Sequence, residues 1–124
     1  MRREIMSGER YEDLKELLSY PEAIALICFN INYSKRFDRV NLGVLAGFLG
    51  LPELKVKNMA RVFKKLNMAN IYNDGMNQEI EMMEPSSDML KDVIYEVIWE
   101  HKDEYSFVYR RILAAEAVES LALN

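Results

Sequence analysis

The chain is poor in the residues that carry out chemistry: its 124 residues include one cysteine, one histidine and one tryptophan. A lone Cys28 excludes an intrachain disulfide and makes a reducing, intracellular compartment the expected setting. Cys28 and His101 cannot supply the ligand pairs of a zinc site, and the carboxylates show no metal-loop spacing. One histidine without a strand–turn nucleophile motif makes no catalytic triad, and His101 reads as a surface residue near a helix end. Glycine-rich phosphate loops are absent too. Gly43, Gly47 and Gly50 lie within or at the end of a helical stretch, where they read as close helix packing. No apolar run reaches the roughly 18–20 residues that span a bilayer, and no apolar segment follows Arg2 and Arg3 as a secretory signal would require. Aromatic and basic residues are not interleaved as on a single-strand RNA-binding sheet. The expectation is a cytoplasmic protein, nucleoid-associated if it binds DNA, that is not an enzyme, takes no cofactor or metal and enters no membrane.

What is present is core. Half the residues are hydrophobic and 29% are charged, the profile of one soluble domain over residues 1–124. Residues 1–6 carry no structural signal, and Ser7 can cap a first helix over 7–18 with Tyr11, Leu14, Leu17 and Leu18 on one side. Ser19-Tyr20-Pro21-Glu22 fits a capping box for a second helix running to about Tyr33. That helix is apolar nearly all round, from Ala23 through Phe29 to Ile31, so it belongs at the centre. Ser34–Val40 can hold a short edge strand with Phe37 and Val40 as anchors.

The stretch from Asn41 to Met83 organises the chain. Asn41 can cap a helix whose stripe is Leu42, Leu45, Ala46 and Leu49; Gly50 ends it and Pro52 prevents its continuation. A second helix, about 54–66, repeats the spacing with Met59, Val62, Phe63 and Leu66. Its other face holds Lys55, Lys57, Asn58, Arg61, Lys64 and Lys65 with no acid among them. After Asn67 the period changes to two: a strand over Ala69–Tyr72, a turn through Asn73-Asp74-Gly75-Met76-Asn77, and a strand over Gln78–Met83.

These residues, with Leu45-Ala46, Leu49-Gly50-Leu51 and Lys64-Lys65-Leu66 among them, resemble the winged helix-turn-helix superfamily over roughly residues 19–84. The resemblance implies a mainly α fold with a β-hairpin wing, whose second helix enters the major groove while the wing touches backbone or minor groove. The turn from Gly50 to Leu54 is longer than usual for that family, and the wing tip carries Asp74 and no basic residue. Flanking helices before and after the core make the layout similar to the MarR and PadR groups of regulators, in which such helices build a dimer. The Asp-x-Arg of the MarR wing has no match around Asn73–Asn77.

Charge is unevenly placed. The chain carries a net −4, yet from Tyr33 to Tyr72 eight Lys and Arg face only Asp38 and Glu53, which leaves −10 for the rest. A basic helix-turn-helix in an acidic chain is the layout of a duplex-DNA binder. The expected roles are Lys57, Asn58 and Arg61 on base edges, with Lys55, Lys64, Lys65, Arg36 and Arg39 on phosphates. Beyond the wing, Pro85 to Asp88 offers caps for a C-terminal helical arm over 86–123, continuous or broken near Asp103–Tyr105. Its stripe of Leu90, Val93, Ile94, Val97, Ile98, Val108, Ile112 and Leu121 predicts a homodimer interface, with folding back onto the core as the alternative. The expected function is a sequence-specific transcriptional regulator that binds double-stranded DNA as a homodimer, with any small-molecule effector left open. The alternatives are a winged helix used for protein contacts, or a plasmid or chromosome partition or replication adaptor.

Overall fold

The computed structural model describes the backbone of residues 2–33, 39–85 and 87–123, and side chains within 10–32, 39–73, 75–85 and 87–114. Its elements in order are α1 (Arg2–Leu17), α2 (Pro21–Tyr33), β1 (Val40–Asn41), α3 (Leu42–Leu49), α4 (Glu53–Lys65), β2 (Ala69–Asp74), β3 (Asn77–Met82), α5 (Asp88–Glu100) and α6 (Lys102–Leu123). The chain is mainly helical with one small antiparallel sheet of order β1-β3-β2, in line with the periodicities of the sequence. No helix among the described residues is long and apolar enough to cross a membrane.

Helix α2 forms the centre. Every residue from Ala23 to Asn30 is buried, and α4, α5 and α6 all pack against it. Asn32 Nδ2 donates to the Tyr105 hydroxyl at 2.9 Å, fixing α6 beside it. The Cys28 thiol lies 3.9 Å from the Tyr105 carbonyl, and burial pushes its pKa up to about 11, so it stays a protonated core residue. Ser19 does a different job from the expected cap: its hydroxyl donates to the Lys15 carbonyl at 2.5 Å, closing α1. Helix α1 also starts earlier than Ser7 suggested, because Arg2, Arg3, Glu4 and Met6 favour helix.

The two helices that follow end by the same device. Gly50, at φ 68°, lets its own N–H reach Gly47 O and the Leu51 N–H reach Ala46 O. Asn67, at φ 59°, does the same for α4, with its N–H on Lys64 O and the Met68 N–H on Phe63 O. Both are left-handed stops that satisfy the last carbonyls of a helix and turn the chain sharply. At the start of α3 the Asn41 side chain accepts from Val44 N at 3.0 Å, as expected of a cap. Of the glycines read as close packing, Gly47 does not fit, since nothing lies near where its Cβ would be. Gly50 does fit, lying against the Arg111 guanidinium of α6.

The hairpin is tighter than the sequence suggested. Strand β2 runs on through Asp74, which pairs with Asn77, so only Gly75 and Met76 make the turn. Gly75 alone has positive φ there, 62°, the pattern of a two-residue turn with glycine in its first position. Val40 and Asn41 pair with Ile80 and Glu79, so β1 joins the hairpin through β3. Of the edge strand expected over Ser34–Val40, only Val40 lies in it, and residues 34–38 lie outside the described residues. Phe37 lies outside the described residues.

The arm differs most from expectation. It is two helices, broken at His101, whose ring lies 3.1 Å from Glu104. Ser87 caps α5, accepting from Leu90 N. Leu90, Val93, Ile94, Val97 and Ile112 are buried in the chain's own core, with Ile98 and Val108 packed half-buried against it. The side chain of Leu121 lies outside the described residues. The stripe expected to need a partner is therefore covered by α1, α2 and α3. Leu14 of α1 and Leu18 just past its end are buried in the same core, and Lys15 reaches Glu100 at 2.8 Å and Glu96 at 3.3 Å across α5. The turn at His101 is the physical reason. It sends α6 back across α2 and α3 where a straight helix of this length would have left the core by tens of ångströms.

Val97 tests this packing. A glutamate there would bury an unpaired carboxylate, a cost of several kcal/mol in an apolar site. The expected outcome for Val97→Glu is loss of the cooperative helical signal in circular dichroism. A well-folded monomer would show that the stripe faces outward.

Candidate nucleic-acid interface

Helix α4 is held by one apolar face. Val56, Met59, Ala60 and Phe63 are buried against the core, which orients everything opposite them. The outermost line is then Leu54, Asn58, Arg61 and Lys65, at i, i+4, i+7 and i+11 of one helix side, all exposed. Lys64 and Lys55 are exposed on its two flanks. The acids of α4 reduce to Glu53 in its first turn, where the helix dipole favours a carboxylate. Lys64 and Lys65 close the last turn, again with the dipole.

Not every expected basic residue is free to act at this face. Lys57 is half-buried and lies 3.7 Å from Glu53, one turn back, so it is off the central line and partly neutralised. Arg39 is exposed, but its guanidinium stacks 3.6 Å from the centroid of the Tyr72 ring on the hairpin. Arg36 lies outside the described residues. Two exposed apolar residues were missed by sequence reasoning. Leu54, 67% exposed, sits at the entry of the outermost line, and Met76, 99% exposed, forms the hairpin tip. Their signal was readable: Leu54 falls on the polar side of the α4 period, and Met76 follows the turn glycine.

The hairpin carries its own polar cluster beside Arg39. Glu81 Oε1 accepts from Asn70 Nδ2 at 3.1 Å and from the Tyr72 hydroxyl at 3.0 Å. The Asn70 bond, the Tyr72 bond and the positive charge of Arg39 together hold the Glu81 carboxyl below its ordinary pKa, against a smaller desolvation effect. Tyr72 thus bonds an acid through its hydroxyl and a cation through its ring face. The cluster fixes the outward side of the sheet and keeps a negative charge there.

Compared with known proteins, the chain matches no family model, no curated protein and no solved structure. The functional reading therefore rests on the geometry of the α4 face.

A depressed folded-state pKa stabilises the fold above the unfolded value, and that contribution is lost as pH falls through the folded value. Carbon-13 titration of the Glu81 carboxyl should give a midpoint below the usual glutamate value of about 4.3. In Asn70→Ala/Tyr72→Phe the midpoint should return toward that value. An unchanged midpoint would mean that these two bonds do not set the carboxyl's charge.

Proposed function

We propose that this chain is a winged helix-turn-helix protein that binds double-stranded DNA sequence-specifically, with α4 in the major groove, and regulates transcription as a homodimer. The supporting observation is the exposed line of Leu54, Asn58, Arg61 and Lys65, flanked by Lys55 and Lys64 and free of acids beyond the first turn. An α-helix in the major groove presents such a line to base edges while its flanks meet phosphates. Arg61 suits guanine and Asn58 suits adenine, each through paired hydrogen bonds, and Leu54 suits a thymine methyl. Lys55, Lys64 and Lys65 supply phosphate contacts, which set register and salt dependence. Lys57 takes a lesser part because Glu53 holds it. In this reading the β2–β3 hairpin is the wing, with Met76 at its tip as an apolar contact to a groove wall.

A second reading, in which this face docks a protein, is favoured by Leu54 on the reading line and by Glu79 and Glu81 on β3. A partition or replication adaptor would bind duplex the same way and differ in coating it.

Fluorescence anisotropy with duplex DNA at several salt concentrations separates these. Arg61→Ala should lose on the order of 1–3 kcal/mol on a selected site and relax preference at one base pair of each half-site. Lys64→Ala should weaken all sequences about evenly and reduce the salt slope by about one phosphate. If parent and variants bind duplex equally weakly at low salt, the protein-contact reading replaces this one.

A further inference from the structure

With the stripe of α5 buried, a different face of the helix remains open. Tyr95 and Trp99 lie one turn apart on its outer side, each 73% exposed, directly opposite Val93 and Val97. Large aromatic side chains so displayed are the residue types that anchor protein interfaces. Beside them a groove of about 410 Å³ opens between α2 and α5, walled by Ile27, Ile31, Ile94, Tyr95 and Ile98. Ile31 is itself half exposed at its rim. Asn30 shares this wall. Its Nδ2 donates to the Met83 carbonyl at 3.3 Å, while its buried Oδ1 has no hydrogen-bond partner among the described residues.

The order of residues along this face is self-complementary. Tyr95 and Trp99 stand two places either side of Val97, and Asp92 and Lys102 stand five places either side. Asp92 and Lys102 are both exposed, and Lys102 keeps to this face across the break at His101, its ammonium 5.1 Å from the Trp99 ring centroid. If a second copy is laid antiparallel about a two-fold axis at the level of Val97, each Trp99 meets the other Tyr95. Each Asp92 then meets the other Lys102. An interface related by a two-fold axis requires this reciprocity.

We propose that a second copy of this chain docks here, the outer faces of α5 packing antiparallel and each Trp99 entering the other copy's groove beside Tyr95. This rests on the homodimer of the proposed function and replaces the aliphatic stripe with the aromatic face as its contact. With two aromatic anchors from each copy, association in the micromolar range is expected.

Trp99 is the only tryptophan, so its fluorescence reports this face alone. Sedimentation equilibrium of the full chain across the micromolar range should give a monomer–dimer equilibrium, with Trp99 emission moving to the blue as dimer forms. Trp99→Ala and Asp92→Lys should each raise the dissociation constant at least about tenfold while keeping the parent's helical signal. The double variant Asp92→Lys/Lys102→Asp, which swaps the charges, should restore dimer. A parent that stays monomeric throughout, or a charge swap that fails to restore the dimer, overturns the proposal. A dimer untouched by both single variants overturns this contact and leaves two-copy DNA binding in place. Loss of DNA binding by the parent in a separate gel shift would sink that reading without touching the dimer.

Discussion

Helix α2 has no side to give to water, and the other helices are arranged to keep water from it. Its run from Ala23 to Asn30 is buried on every face. Fully burying one aliphatic side chain contributes about 1.5–3 kcal/mol, so leaving such a helix bare on any side would cost most of a small domain's stability. Helix α4 covers one side, α5 another and α6 a third, with α1 clipped to α5 through Lys15. The position of the α4 basic face follows from this. Because Val56, Met59, Ala60 and Phe63 must meet the core, Asn58, Arg61 and Lys65 have to point away from it.

The same constraint explains the division of labour between the two outer surfaces. Positive charge is gathered on α4, where the last turn adds Lys64 and Lys65 to the negative end of the dipole. The outer side of α5 is built from Tyr95 and Trp99 with Asp92 and Lys102 beyond them, a mixture suited to protein contact more than to phosphate. The Glu81 cluster keeps the hairpin's own charge negative and engages Arg39, so the hairpin adds little to a phosphate grip.

Much of this was legible in the sequence because local chemistry decided it. The spacing of Leu42, Leu45, Ala46 and Leu49, the Asn41 cap, the Gly50 stop and the hairpin glycine are short-range signals, and each does its expected job. Asn67 was a missed stop, since asparagine takes the left-handed conformation less often than glycine and so signals weakly. What the sequence hid was long-range. The break at His101 has no Gly or Pro to announce it, and it exists because Tyr105, Val108 and Ile112 pack toward α2 and α3. A stripe such as Leu90 to Val97 is equally apolar whether it meets its own core or another chain, and periodicity cannot tell the two apart. Likewise the basic count around α4 was readable, while the capture of Lys57 by Glu53 and of Arg39 by Tyr72 depends on side-chain placement.

In the proposed function α4 faces nucleic acid and the outer face of α5 does not. Amide chemical-shift mapping of the full chain during titration with a short duplex tests it residue by residue. At a protein concentration where the dimer is already formed, shifts should concentrate at Leu54, Asn58, Arg61, Lys64 and Lys65, with smaller ones at the Gly75–Met76 tip, and Tyr95 and Trp99 should stay unmoved. Saturating shifts on α5 with α4 silent would contradict it.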